Sequence, residues 1–247
     1  MSGTTPEGAA GEQEAARWVR GMFGRIAPRY DLANHLLSGN LDRLWRRRTV
    51  QRVRPILDRP DARVLDICCG TGDLARALQK RAASRVLASD FCHPMLVAAR
   101  RKIPAGVLFE ADALRLPIAD ASLDLITVAF GFRNLTNYEA GLREMRRVLR
   151  PGGMAAILEF SQPRNSLFAS VYHFYSRRVL PWIGGLITGA QDAYRYLPAS
   201  IQKFPDAPAL AAQLRQAGFA DVSFEYLTGG SVALHLGRIA PRTDARR

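Results

Sequence analysis

From Arg63 to Phe160 short β-rich runs alternate with helical ones at a regular pitch, and few folds can absorb that order. Arg63–Cys68 (RVLDIC) reads as a buried strand, Asp73–Ala83 as a helix, Arg85–Ser89 as a second strand and Pro94–Lys102 as the next helix. Val107–Glu110 and Leu123–Phe130 (LDLITVAF) follow as strands three and four. Tyr138–Leu149 then carries Leu142, Met145 and Leu149 on one helical face, and Pro151-Gly152-Gly153 stops it before a fifth strand, Met154–Phe160. Parallel neighbours need crossover helices, so this alternation predicts an α/β fold with a doubly wound, mostly parallel sheet. Two last strand patterns, Asp221–Leu227 and Ser231–Leu236, flank Thr228-Gly229-Gly230, a hairpin signal that predicts an antiparallel end to the sheet.

The flanking segments do not follow this pattern. Residues 1–14 are rich in Gly, Ala and Glu and read as a disordered tail. Residues 15–62 read as a helical lid and substrate segment: Ala15–Phe23, Tyr30–Leu37 and Leu41–Arg54, ended by Pro55 and Pro60. The third of these (LDRLWRRRTVQRVR) places Leu41, Leu44, Trp45, Val50 and Val53 on one face beside six arginines. Residues 63–239 form the main domain, with an aromatic helical insertion at about 164–205, and 240–247 a basic tail.

Hydrophobic residues at 48% and charged residues at 23% exclude whole-chain disorder, and no apolar run approaches the ~18 residues needed to cross a bilayer. The start lacks the cationic stub and apolar core of a signal peptide, and Cys68, Cys69 and Cys92 form no chelating or disulfide framework. A reduced cytoplasmic setting is expected, with no metal. The net charge of +13 favours an anionic partner, such as a nucleic acid, a membrane surface or an anionic substrate. Only three of the basic residues are lysines, a bias that base composition alone can produce.

Between strand one and its helix lies Asp66-Ile67-Cys68-Cys69-Gly70-Thr71-Gly72-Asp73. Glycines there let the backbone turn tightly and approach a ligand. Asp90 ends strand two, 20 residues after Gly70, where a carboxylate can accept from both hydroxyls of a ribose. Asp112, with Ala113 behind it, follows strand three and can meet an adenine amino group. Acid at Asp66 and Asp73 disfavours a pyrophosphate at the helix start and favours a cationic sulfonium. The set points to S-adenosylmethionine.

Met22–Asn34 (MFGRIAPRYDLAN), Leu44-Trp45-Arg46, Val64–Leu74, Phe130–Asn134 (FGFRN), Arg146–Phe160, Tyr172–Pro181, Asp192–Pro205 and Leu227–Gly237 together run almost end to end. In these segments the chain resembles the ubiquinone/menaquinone biosynthesis C-methyltransferase family (UbiE type), within the class I S-adenosylmethionine-dependent methyltransferases. The resemblance implies a seven-stranded Rossmann-like sheet and methylation of a ring carbon of a polyprenylated quinol, demethylmenaquinol to menaquinol in particular. It carries cofactor contacts over to Thr71, Asp90, Asp112 and Ala113. It departs at Ala129, where the family often has serine, so a hydroxyl contact to the cofactor is lost or its role is taken by backbone.

Ring-carbon methylation needs a deprotonated phenol, so a base or a water chain and positive charge should help. Arg133 and Asn134 are the candidates for holding the developing oxyanion, the alternative for Arg133 being an ion pair with Glu159. Tyr30, His173, His235 and Asp31 are candidate bases, though lone histidines in apolar segments are more often core, and Asp31 could instead cap a helix. Tyr30, Tyr172 and Tyr175 are expected to line the acceptor site. A lipid acceptor predicts peripheral association with an anionic membrane face through Leu41–Arg54. Two other readings stay open: methylation of another lipid or small aromatic, and a basic RNA-binding methyltransferase. The latter lacks an N-P-P-Y or Pro-Cys signature after strand four, so no nucleic acid is expected. The oligomeric state is not legible in the sequence.

Overall fold

The computed structural model describes residues 3–6, 8–104, 106–163 and 191–242. Seven strands form one sheet: β1 (Val64–Ile67), β2 (Val86–Asp90), β3 (Val107–Glu110), β4 (Leu123–Ala129), β5 (Leu149–Phe160), β6 (Asp221–Leu227) and β7 (Val232–Arg238). The order is β3-β2-β1-β4-β5-β7-β6. The first five pair in parallel, whereas β7 runs antiparallel to both β5 and β6. Both halves of the sequence reading, parallel body and antiparallel end, are present. The strand order reverses between β1 and β4, the switch point outside which open α/β sheets bind ligands.

Alternation along the strands splits the core in two. Leu65, Ile67, Ile126, Val128, Ala155 and Ile157 face one side, against α6 (Tyr138–Val148) and the helix Ala207–Gln216. Val64, Leu125, Met154, Ala156 and Leu158 face the other, against α3 (Leu41–Leu57) and α4 (Asp73–Gln79). Central strands are therefore apolar on both faces, as buried parallel strands must be. Pro55 does not end α3, because a proline in the last turn removes only one hydrogen bond. Nor do Pro151-Gly152-Gly153 delay β5, which starts at Leu149 and takes up the turn as a register irregularity opposite Leu123–Leu125.

The N-terminal segment opens with α1 (Glu12–Ile26), a turn of 3-10 helix (Ala27–Arg29) and α2 (Tyr30–Leu37). Ala15, Val19, Met22 and Ile26 lie on one stripe of α1 and are buried, in part against α5 (His93–Lys102) and α7 (Gln191–Lys203). Ala207–Gln216 is α8, counting the helices of the described residues. Against expectation, the described part of residues 1–14 is not a free tail. Gly3 and Thr4 donate backbone hydrogen bonds to Thr136 and Leu135 at 3.0 and 2.8 Å, and Thr4 is buried. α1 has already begun by Glu12. The apolar face read on Leu41–Arg54 also divides: Trp45, Val50 and Val53 are buried while Leu41 and Leu44 stay exposed. Most of the insertion, and the end of the basic tail, lie outside the described residues.

After β4 the chain turns into a short 3-10 helix, Phe132–Asn134. Phe132 is wholly buried there, with its ring 5.8 Å from Tyr138 and 6.3 Å from Phe204. It is the anchor that sets where Arg133 and Asn134 point. Phe132→Ala leaves a cavity that this aromatic cluster cannot close. It is expected to cost about 4 kcal/mol of unfolding free energy in urea titration.

Candidate active site

The carboxyl ends of β1, β2 and β4 meet around one cavity. Its wall includes Asp66, Cys68, Cys69, Gly70, Thr71, Asp90, Asp112, Ala113, Ala129, Gly131 and Asn134. All the predicted cofactor residues except Gly72 lie on that wall, and Gly72 sits behind it as the N-cap of α4. Gly72 has φ +85°, and a Cβ there would stand 3.0 Å from Ile103. A Cβ at Gly131 would stand 2.5 Å from that of Cys68, so the β1 and β4 loops touch through a missing side chain. Cys68 and Phe130, the residues leaving those strands, are both left-handed without being glycine, at φ 49° and 59°. Each conformation costs on the order of 1–3 kcal/mol, and such strain collects where a site fixes its backbone.

Asp90 holds the floor together. Its Oδ2 accepts from the Gly70 N–H at 2.8 Å and its Oδ1 from the Cys92 N–H at 2.9 Å. Burial nevertheless raises its carboxyl to about 6, because two amides offset only part of the lost hydration. Asp66 is more extreme. Its Oδ1 accepts from the Thr127 hydroxyl at 2.6 Å, its Oδ2 is buried with no partner, and burial raises the group to about 7. A buried carboxylate with one oxygen unmet on a cavity wall is a place for a cationic donor. Asp112 accepts from the Leu114 N–H at 2.9 Å and remains exposed at the rim.

Two details depart from the sequence reading. Asp73 is not an open negative charge at the start of α4: Lys102 pairs with it and also reaches Asp31 at 2.7 Å and the Thr71 hydroxyl at 3.0 Å. The argument against phosphate therefore rests on Asp66 alone. Asp31 does not cap α2 either; it accepts from the Thr71 hydroxyl, which pins α2 to the glycine turn. The space left in the cavity is about 80 Å³, well below the ~300 Å³ at which ligand clefts begin. Ala16, Phe23 and Tyr30 of the N-terminal helices wall one side of it. The backbone bonds of Gly3 and Thr4 add to that wall, and the Thr4 hydroxyl meets Tyr196 at 2.7 Å, whose own hydroxyl donates to Asn134 Oδ1 at 3.0 Å.

A second, mostly apolar chamber of about 480 Å³ adjoins the first. The two share Phe23, Tyr30, Arg46 and Phe130 in their walls. Tyr30 thus lines both cavities, and burial raises its phenol. Arg133 also faces this chamber, but as half of a buried pair with Glu159 at 3.2 Å. Its Nη1 also donates to the Phe130 carbonyl and its Nε to the Ser200 hydroxyl at 3.3 Å. The pairing alternative is realised, and it leaves the cation fixed beside the cavity. His235 is core: its Nε2 donates to the Ala207 carbonyl at 2.9 Å, and burial lowers the ring to about 4. Tyr172, Tyr175 and His173 lie outside the described residues.

Sequence reasoning missed Tyr196, Leu135, Thr136 and Phe160, which reach the two cavities only through tertiary packing, and it did not assign Arg46. Of the basic row on α3, Arg46 pairs with Asp42, Arg48 with Glu225 at 2.8 Å and Arg54 with Asp58 at 3.2 Å. Half of the row is therefore already neutralised, which weakens the case for a phosphate-tracking surface.

Comparison with known proteins agrees with this geometry. Residues 9–239 match the ubiE/COQ5 methyltransferase family. A demethylmenaquinone methyltransferase of Thermus thermophilus is 50% identical over 221 residues, 87% of this chain and 99% of that one. The ubiquinone/menaquinone biosynthesis C-methyltransferase UbiE of Ectopseudomonas mendocina is 44% identical over 234 residues, 92% of this chain and 90% of that one. Among solved structures, a SAM-dependent methyltransferase of Thermotoga maritima superposes with a TM-score of 0.62 at 19% identity, over 88% of this chain and 98% of that one. The [4+2]-cyclase SpnF superposes at 0.67 with 16% identity, over 98% and 100%. At such identities these two speak for the fold alone.

The raised carboxyls set the pH response of the ligand-free protein. Asp66 and Asp90 bind protons more tightly folded than unfolded, so stability falls as pH rises from about 4 through their folded values of about 7 and about 6. Asp66→Asn keeps an acceptor for Thr127 and removes the larger part. Its melting temperature is expected to exceed the parent's at pH 8 and to match it near pH 4.

Proposed function

Because the chain belongs to the ubiE/COQ5 methyltransferase family, it is an S-adenosylmethionine-dependent methyltransferase, and we propose that its acceptor is a polyprenylated quinol methylated on a ring carbon. The Thermus thermophilus relative is named a demethylmenaquinone methyltransferase, and the form of the reaction that this supports is demethylmenaquinol to menaquinol. The observation that carries the reading is the pair of adjoining cavities, one floored by carboxylates, the other apolar and large enough for a ring and the start of its tail. The residues present suit the cofactor: a buried Asp66 with one oxygen unmet for a cationic group, Asp90 for ribose hydroxyls, Asp112 at the rim for an adenine amine. When bound, S-adenosylmethionine supplies an electrophilic methyl group on a sulfonium.

The protein's part is placement. Phe23, Tyr30, Arg46 and Phe130 stand where the two cavities meet, so donor and acceptor are brought together with little freedom, which can supply most of the acceleration of a displacement. Arg133 stays protonated and cannot be the base. Held by Glu159, it presents a fixed positive charge that favours an ionised phenol, the sense in which it already acts on Tyr30. Asn134, oriented by Tyr196, is placed to hold the same oxygen or a water. Closure of the lid excludes bulk water from both.

A lipid acceptor must also be reached. Leu32, Leu36, Leu41 and Leu44 are exposed by 63, 57, 36 and 58%, and Leu36 and Leu41 belong to the wall of the apolar chamber. Exposed Arg43 and Arg47 stand beside them. Such a rim suits a peripheral encounter with an anionic leaflet from the cytoplasmic side. Among the described residues no helix is long and apolar enough to cross a membrane.

Three outcomes are expected. Affinity for S-adenosylhomocysteine, measured by calorimetry, should rise as pH increases through 7, because a cationic amine favours the ionised Asp66; in Asp66→Asn only the part owed to Asp90 should survive. Arg133→Lys should lower kcat by roughly 10²-fold with S-adenosylhomocysteine affinity retained. Near-normal turnover in the folded variant would assign Arg133 to structure alone. The protein should sediment with phosphatidylglycerol vesicles more than with neutral ones, less so in salt, and Leu36→Asp with Leu44→Asp should abolish it.

A further inference from the structure

Gly72 lets the end of α5 press against the glycine turn: a Cβ there would stand 3.0 Å from Ile103 and 3.2 Å from Ala99. That approach brings Lys102, the last residue of α5, to the start of α4. An ammonium has three N–H donors, and here each has an acceptor: Asp31 Oδ2 at 2.7 Å, the Thr71 hydroxyl at 3.0 Å and Asp73 Oδ1. The Thr71 hydroxyl in turn donates to Asp31 Oδ1, so Lys102, Thr71 and Asp31 close a ring of hydrogen bonds. Thr71 is buried, and the Lys102 side chain is only 18% exposed. The ring therefore lies between packed elements, where water screens it less than it would a surface pair.

Through this ring α2 is seated on the turn. Asp31 and His35 stand one helical turn apart on α2. The first joins the ring, while the His35 imidazole lies between Asp42 at 2.9 Å and Asp73 at 3.9 Å. Asp42 also has Arg46 beside it. Asp31 and Asp73, from two different helices, share Lys102. Without the ammonium they would face each other as like charges and push α2 off the turn it covers. The neighbour of Asp31 is Tyr30, whose Cε1 lies 3.9 Å from where a Cβ on Gly70 would stand, in the walls of both cavities. Asn34, also on α2, lines the apolar chamber. Lys102 itself is on neither wall.

We propose that Lys102 is a positioning residue for methyl transfer: by docking α2 on the glycine turn it fixes Tyr30, and with it the acceptor side, relative to the cofactor floor. The inference rests on the two-cavity reading above. Its lever is distance, since a displacement of reacting groups by about 1 Å can cost 10²-fold in rate. Lysine suits the task. A compact charge with three donors on a flexible stem can face acceptors on α2, on the glycine turn and on α4 at once, whereas the planar fork of arginine is matched to a single carboxylate.

Two measurements test it. In the ligand-free protein, Lys102→Met should raise amide hydrogen exchange across Tyr30–Leu37 by about 10-fold and leave β1 and β4 unchanged. With a demethylmenaquinol of short prenyl tail as acceptor, the same variant should lower kcat by about 10²-fold, while its affinity for S-adenosylhomocysteine in calorimetry stays within about threefold. Lys102→Arg keeps the charge and should recover part of both losses. Asp31→Asn in the Lys102→Met background removes the bare like charge and should restore the exchange protection of α2. Exchange that rises across the whole sheet, normal turnover in a folded Lys102→Met variant, or a loss of cofactor affinity as large as the loss of kcat would overturn the assignment. If the unaltered protein binds no S-adenosylhomocysteine or leaves the quinol unmethylated, the functional reading fails, while the exchange of α2 still decides whether Lys102 docks it.

Discussion

Everything at the ligand edge of the sheet depends on one buried carboxylate tying two loops together. Parallel strands end with unpaired amides pointing beyond the sheet, and Asp90 collects two of them, one from the turn after β1 and one from the turn after β2. Together with the Cys69 N–H, which donates to the Ser89 carbonyl at 2.9 Å, that acceptor holds the glycine turn against β2 and keeps Cys68 in its left-handed backbone. The same desolvation that makes the tie strong raises the carboxyl group. The site is built by holding charge where water is scarce, and its appetite for a polar ligand follows from that.

A second buried charge plays the corresponding part on the other side. Glu159, on β5, takes both the backbone N–H and the side chain of Arg133, and so locks the loop leaving β4 to its neighbouring strand. Breaking such a pair leaves a lone charge in the interior, which is why the loop is rigid although it has little regular structure. SpnF shares the fold and is named for a cyclisation. The sheet therefore does not dictate the chemistry; the apolar chamber and what projects into it do.

How much of this was readable beforehand depended on range. The strands and the glycine turn were legible because their signals are local: apolar runs of four to seven residues, punctuated by Gly and Asp. Asp90, Asp112 and Gly70 could be placed because each sits at a strand end, a position that spacing reveals. Arg46 could not be separated from the five other arginines around it, since only tertiary packing decides which one turns inward. Asp31 looked like a cap and proved to be a pin, because its partner Thr71 is 40 residues away. Pro55 and Pro151 looked like breaks and were absorbed, since a last helical turn and a strand irregularity both tolerate a missing N–H. The segment at Gly3 and Thr4 has the composition of a tail, and nothing local distinguishes a tail from a strand-like clasp.

That clasp joins residues made at opposite times. Thr4 meets Tyr196 across a separation of 192 positions, and Tyr196 in turn reaches Asn134 on the cavity wall. On a ribosome the sheet from β1 to β5 can assemble long before residue 196 emerges. During that interval Gly3 and Thr4 have only half of their seat, and the nucleoside cavity stands open at one side. The nascent chain can thus meet its small ligand before it is able to hold it shut, and the clasp closes only once Tyr196 has emerged.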